Sequence, residues 1–306
     1  GRKNIFIGNY AGLKNVIGTN NIYIGYEAGK NGTGASQSIC IGDYAGQNST
    51  AGQNLFIGLN SGKTNTSGSR NTYIGWQAGE LNQTGNQNAY FGQFAGQDNL
   101  NSFNTFIGYW AGGQNTNGTE NTFVGRRSGL QSQGSNNVFL GHAAGAYTSG
   151  SNNVFVGQDA GQSNTGSGNV FVGYQAGKST SSLSNSLYIS NTDAATPLIY
   201  GDFSTMRTGL GTTTPVTKLH VADTITATNG TDGAFIEIQN VNGNIQDRMS
   251  GIRFRNTTGT ATGPKAAIFF NRQDTYGRGD LIFAVSNSAD LVAVSRTNAI
   301  LTVSRT

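Results

Sequence analysis

The chain has 306 residues, of which 46 are glycine, 11% are charged and 35% are hydrophobic, and its formal net charge is +4. The low charge excludes a disordered polyelectrolyte, and the scattered Lys and Arg residues form no basic run typical of a nucleic-acid-binding surface. The single cysteine, Cys40, excludes an intrachain disulfide framework and a cysteine-based zinc cluster. No apolar run approaches the length of a membrane span.

Residues 1–190 consist of a repeat, Asn-x-aromatic-aliphatic-Gly-x-x-Ala-Gly, that returns every 16 or 17 residues. Eleven copies are clear, with their first glycines running from Gly8 to Gly173, and a degenerate twelfth copy has Ser190 at this position. The period is too short for a helix–strand unit and predicts one coil of a parallel β-solenoid per copy, stacked about 4.8 Å apart. We expect two short strands per coil, glycine at the corners and Ala in a narrow interior, and the Asn either bonds its own backbone at a turn or stacks in a ladder.

The aromatic position is followed directly by a large aliphatic residue, and neighbouring side chains of a strand point to opposite faces. Both faces of the strand therefore favour burial, whereas one coil of a monomer has one inside and one outside. We predict that the aromatic row packs against other copies of the chain and makes a homotrimer. This row comprises Phe6, Tyr23, Phe56, Tyr73, Tyr90, Phe106, Phe123, Phe139, Phe155 and Phe171.

Segments such as "NNVFVGQDAG" and "NTFIGYWAG" resemble the head-domain coils of trimeric autotransporter adhesins and similar repeats in phage tail fibres. The resemblance covers residues 1–190 and implies a β-roll three chains wide. A second segment, "GLGTTTPVTKLHV", is similar to a junction of phage fibres and large bacterial surface proteins. In many of those proteins a self-cleaving chaperone lies further downstream.

Residues 191–306 carry 19 charged residues against 15 in residues 1–190, and they hold all three prolines. We therefore divide the chain into a shaft (1–190), a junction (191–224) and a C-terminal β-rich domain (225–306). In the last part, alternating segments such as "AFIEIQNV", "AAIFFNR" and "LVAVSR" predict six or seven antiparallel strands. The predicted fold is thus all-β: a trimeric parallel β-solenoid followed by a small antiparallel tip.

Candidate sites are few. Arg272, Asp274, Tyr276 and Arg278 surround a glycine and form either a receptor-contact loop or a plain charged hairpin, with the hairpin favoured. His142 and His220 are lone histidines that we interpret as structural, and the Gly209–Gly211 segment lacks the third glycine of a nucleotide loop and predicts a turn.

Several aromatic residues follow the first glycine of a coil, where they could stack on sugars. We favour a packing role for them, with Trp76 the exception. These residues are Tyr10, Tyr26, Tyr44, Trp76, Phe94, Tyr109, Trp110 and Tyr174.

The leading functional hypothesis is a non-catalytic phage tail fibre, extracellular on the virion. It would recognise a bacterial surface glycan or protein through several weak contacts and join other fibre or baseplate subunits. We predict no cofactor, no metal, no nucleic acid and no membrane insertion. The alternatives are a bacterial trimeric surface adhesin, an injection-machine fibre, and a tailspike-type glycan hydrolase, which the sparse carboxylates disfavour. An ice-binding solenoid would need a flat Thr array that the repeat lacks.

Overall fold

A computed structural model describes residues 1–222, 248–254, 266–272, 279–285 and 299–303. The chain divides into two compact units, Gly1–Ala234 and Phe235–Thr306. The first unit contains β1 to β15: Ile5–Ile7, Ile22–Ile24, Ile39–Ile41, Leu55–Ile57, Thr72–Ile74, Ala89–Phe91, Thr105–Ile107, Thr122–Val124, Val138–Leu140, Val154–Val156, Val170–Val172, Ser186–Ile189, Ile199–Asp202, Arg207–Leu210 and Leu219–Val221. The second contains β16 to β19: Arg248–Phe254, Ala266–Arg272, Gly279–Val285 and Ala299–Val303.

Strands β1 to β12 form a parallel sheet in chain order, with equivalent repeat positions directly opposite one another. Phe106, for example, pairs with Phe123, and Phe123 with Phe139. The prediction of a parallel β-solenoid with one coil per repeat is confirmed, as is the small antiparallel region that follows it.

Each of the eleven coils holds one three-residue strand, so the second strand that we expected per coil is not present within residues 1–190. The opposite side of the coil is a turn whose backbone groups bond to the next coil. The Gly12 N–H donates to the Ala28 carbonyl at 2.9 Å, and the Gly29 N–H donates to the Ala45 carbonyl at 3.0 Å. Two glycines four residues apart prevent an extended run here, because both have positive φ.

The first glycine of each coil forms the corner that ends the strand. Its φ lies between 119° and 141° in all eleven coils, a region that is essentially closed to other residues. A Cβ at Gly125 would also collide with the carbonyl oxygen of Gly141 in the next coil. The repeated glycine is therefore required both by the turn and by the close stacking of neighbouring coils.

A buried asparagine ladder runs beside the strands. The Asn121 amide oxygen accepts a hydrogen bond from the Asn137 backbone N–H at 2.9 Å, and its Nδ2 donates to the Gly134 carbonyl at 3.0 Å. The same contacts recur at Asn137 and Asn153. Of the two roles that the sequence left open for this Asn, the structure shows the ladder, and it satisfies backbone groups that the turns leave unpaired.

The shaft ends where the chain reverses direction. Strand β13 pairs antiparallel with both β12 and β14, and β14 pairs parallel with β15. Here the ring stack changes from parallel to edge-on, with 65° between the planes of Phe171 and Tyr188 and 88° between those of Tyr188 and Tyr200. The reversed strand covers the end of the interior, since Tyr200 is only 8% exposed.

The second unit contains one antiparallel sheet in the order β16-β17-β18-β19, with a register irregularity between Phe283 and Ala284. Ile282 is buried between the exposed Leu281 and Phe283, as alternation along a strand requires. The strands predicted over 234–241 and 291–296 lie outside the described residues.

Candidate binding surfaces of the shaft

The aromatic row lies inside the solenoid of a single chain, not against a partner. From Tyr23 to Phe171 its rings are at most 1% exposed, and Phe6, at the end of the stack, is 38% exposed. Neighbouring rings stack nearly parallel, with centroids 4.9 Å apart for Phe106 and Phe123 and 4.8 Å apart for Phe123 and Phe139. Our assignment of this row to trimer contact is wrong, because a 16-residue coil has room inside for one ring and small Ala and Asn side chains.

The outward side chains of the strands form a different row, which we call the outer strip. It consists of the two residues that flank the aromatic position in β1 to β12, and none of them is charged. Among its large members, Ile107 is 41% and Leu140 38% exposed. The flanking position also accepts Thr72, Ala89, Thr105 and Thr122, whereas the aromatic position accepts no comparable polar residue. The wider range of residue types at the flanking position is the sequence signal that distinguishes outward-facing side chains from those inside the coil.

The two residues that follow the first glycine complete the corner that this glycine begins in each coil. The second of them has a left-handed φ of 52° to 60° in all eleven coils. These second corner residues are Tyr10, Glu27, Tyr44, Asn60, Gln77, Phe94, Trp110, Arg127, Ala143, Asp159 and Gln175. The corner therefore repeats its backbone geometry while its side chains change.

Four aromatic residues of coils five to seven meet at this corner, and we call them the corner cluster: Trp76, Phe94, Tyr109 and Trp110. The ring centroid of Phe94 lies 5.2 Å from Trp76, 6.0 Å from Tyr109 and 5.7 Å from Trp110. Trp110 also packs on a small core formed by Leu130, Ala143 and Ala146. Trp76 remains 48% and Tyr109 38% exposed.

Two arginines continue the corner cluster into coil eight. The Arg126 guanidinium lies 5.9 Å from the Tyr109 ring centroid, and that of Arg127 lies 5.8 Å from the Trp110 ring centroid. These distances are typical of cation–π contacts. Arg126 Nη1 also lies 3.0 Å from His142 Nε2, which places His142 on the exposed corner.

A smaller tyrosine group occupies the corners of coils one to three. Tyr26 meets Tyr10 and Tyr44 edge-on, with centroid distances of 6.2 and 5.3 Å. Beside them the Glu27 carboxylate accepts a hydrogen bond from Lys30 Nζ at 2.8 Å, and this bond lowers the pKa of Glu27. Lys30 in turn lies 5.4 Å from the Tyr10 ring centroid.

A pocket of about 380 Å³ lies where the shaft meets the reversed strands. Its wall includes hydroxyls of residues 179–182 together with Tyr188, Tyr200 and Asp193. Its polar groups largely bond to one another: Ser179 donates to the Asp193 carboxylate and Tyr188 to the Ala194 carbonyl, each at 2.5 Å. Two of the wall's polar side chains, Ser179 and Tyr188, are therefore already paired within the pocket.

The predicted tip residues are only partly placed. Arg272 is the last residue of β17, where it pairs in register with Arg248 and Gly279. Asp274, Tyr276 and Arg278 lie outside the described residues. His220 lies in β15 opposite Gly209, and Gly211 adopts φ +74° directly after β14, as a turn requires.

No protein-family model, no curated protein and no solved structure matches this chain. In the parts of the chain that the structure describes, no helix is long and apolar enough to cross a membrane.

Proposed function

We propose that the chain is a structural and adhesive fibre protein whose shafts associate with one another, most simply as a homotrimer in a phage tail fibre. The observation that supports this proposal is the outer strip. It runs along eleven coils, which at about 4.8 Å per coil is roughly 50 Å of uncharged and mainly aliphatic surface, interrupted by Thr72, Thr105 and Thr122. A contiguous apolar surface of this kind on a soluble protein is typical of a protein–protein contact.

The homotrimer is argued from the outer strip instead of the aromatic row. The interior rings already make each shaft a complete stack, so association adds burial of Ile, Leu and Val side chains without having to complete the fold. Three rods joined in this way would be stiffer than one. They would also present three copies of any weak receptor site, which raises avidity without catalysis.

Two measurements test the proposal. Light scattering on the full chain should give three times the mass of one chain, and labelled protein should adsorb to cells of a susceptible bacterium. A mass of one chain at micromolar concentration would overturn the self-association. Absence of adsorption to every bacterium in a broad panel would overturn the adhesive role.

A further inference from the structure

The aromatic residues of the corner cluster are not required by the fold. In other coils the first corner position, which Trp76 and Tyr109 occupy, is filled by Asn9, Asp43 or Gln158. The second corner position, which Phe94 and Trp110 occupy, is filled by Asn60, Ala143 or Asp159 with φ between 52° and 59°. The interior row behaves differently, because it is aromatic in ten of eleven coils. Four aromatic residues within three successive coils therefore need an explanation other than the turn.

Packing accounts for part of the corner cluster. Trp110 is half-buried on Leu130, Ala143 and Ala146, and Phe94 lies between its aromatic neighbours. Trp76 and Tyr109 are different, since each leaves a large part of its ring in solvent. These two residues form the accessible surface of the corner cluster, two coils apart.

Planar polar groups border the rings. Next to Trp76, Gln77 Nε2 donates to Glu80 Oε2 at 2.6 Å, and Gln97 Nε2 from the following coil donates to the same oxygen at 3.2 Å. On the other side, the Arg126 guanidinium lies over the Tyr109 ring. Arg126 covers part of one face of Tyr109, and the Trp110 ring lies nearly parallel to it with centroids 5.8 Å apart, so Trp76 is the more open of the two rings. Amides, a carboxylate and a guanidinium beside these rings form a surface on which the C–H face of a sugar can pack while its hydroxyls are hydrogen-bonded.

This surface differs from the outer strip in chemistry. The outer strip is uncharged and mainly aliphatic, as expected for contact with another copy of the chain, whereas the corner cluster mixes aromatic rings with charged and hydrogen-bonding groups. Its geometry is also linear, because equivalent corners follow the coil spacing of about 4.8 Å. That spacing is close to the length of one pyranose residue in an extended polysaccharide.

We infer that the corner cluster is a receptor site that binds a linear bacterial surface polysaccharide along the shaft, with one sugar ring stacked on Trp76 and another in contact with the exposed part of Tyr109 and with Arg126. The inference rests on the proposed adhesive function and specifies its receptor class. It places recognition on the side of the shaft, where each copy of the chain would carry one site.

The chain offers a direct spectroscopic test, because its only two tryptophans, Trp76 and Trp110, both belong to the corner cluster. The full chain is first applied to an array of purified bacterial surface polysaccharides, and the strongest binder is then titrated in solution. We expect a change in tryptophan emission on binding. We expect Trp76→Ala and Tyr109→Ala each to weaken binding about tenfold or more, as for central aromatic contacts.

Tyr174→Ala is the matched control, since Tyr174 occupies the same corner position in coil eleven, is 44% exposed and lies outside the corner cluster. It should leave binding unchanged. The inference is overturned if no polysaccharide binds, or if the Trp76→Ala and Tyr109→Ala variants bind as well as the parent. It is also overturned if these variants lower the mass of the protein in light scattering, because that result would assign the two rings to subunit contact. Should the variants still adsorb to cells like the parent, the adhesive function stands and only this site fails.

Discussion

Three phenol groups of the ring stack are buried inside the shaft. Burial raises the pKa of Tyr23, Tyr73 and Tyr90 above the usual value of 10.0. The Tyr90 hydroxyl donates to Asn99 Oδ1 at 2.9 Å. The Tyr73 hydroxyl lies near the Asn88 side chain but makes no contact with hydrogen-bond geometry. A buried hydroxyl without a partner costs about 1–3 kcal/mol.

Tyr73→Phe should therefore raise the free energy of unfolding by about 1 kcal/mol, because it removes an unpaired polar group without changing the stack. Phe fills the equivalent position in the neighbouring stack at Phe56 and Phe106. Tyr90→Phe is the control and should lower the free energy of unfolding by about 1 kcal/mol, since it removes a made hydrogen bond. Guanidinium denaturation followed by circular dichroism measures both. Equal destabilisation by the two variants would contradict the conclusion that the Tyr73 hydroxyl makes no hydrogen bond.

The same burial predicts alkaline sensitivity. For a tyrosine whose pKa is raised in the folded state, the unfolded chain loses its proton first, near pH 10. The stabilising effect is therefore complete below pH 10 and is lost as the pH rises from 10 through the raised folded-state pKa. The denaturation midpoint of the parent should be clearly lower at pH 11 than at pH 8. It should fall less for a triple variant with Phe at Tyr23, Tyr73 and Tyr90; an equal fall in both proteins would refute this origin.

At the scale of the coil, the asparagine ladder links each strand to the next one. Asn121 is 1% exposed and serves two backbone groups, the Asn137 N–H and the Gly134 carbonyl. Coil three shows the weaker arrangement, because Ser38 takes the ladder position and its hydroxyl accepts from the Asn54 N–H at a longer 3.3 Å. Coil three therefore has a hydroxyl in place of the amide of the ladder, while its strand keeps the same register with its neighbours.

Asn121→Ala should lower the free energy of unfolding by about 2–4 kcal/mol, since two buried backbone groups lose their partners. Asn117→Ala is the matched control: Asn117 lies in the preceding turn, is exposed, and should change stability by less than about 0.5 kcal/mol. Thermal and guanidinium unfolding of the two variants provide the measurement. A similar small effect for both would show that water replaces the Asn121 amide.

The coils were predictable because the period fixes their number and the glycines fix their corners. Which face of the strand points into the coil was not predictable, since alternation shows only that Phe123 and Val124 point in opposite directions. The interior width of the coil decides which of them is inside, and this width depends on turns that the pattern does not specify. Likewise the corner aromatics Trp76, Phe94 and Tyr109 follow one another at intervals of 18 and 15 residues in sequence, so their meeting depends on the stacking of coils five to seven.

At the scale of the whole molecule, the proposed fibre would use the outer strip and the corner cluster for two different tasks. The outer strip is uncharged and long, which suits permanent association, whereas the corner cluster is short and polar at its margins, which suits a weak and repeated contact. Under this proposal, avidity depends on the first surface and recognition on the second. Disrupting association should therefore weaken adsorption to cells without altering the affinity of a single site.

The double variant Ile107→Lys and Leu140→Lys tests this division. Both side chains are exposed on the outer strip, so lysine can be accommodated in a single shaft, but association would bury two charges per chain without partners. We expect the mass in light scattering to fall to that of one chain, with an unchanged circular dichroism spectrum. Leu100→Lys is the control, because Leu100 is 44% exposed on a turn outside the outer strip. If the double variant keeps the parent's mass, the outer strip is not the surface through which the shafts associate.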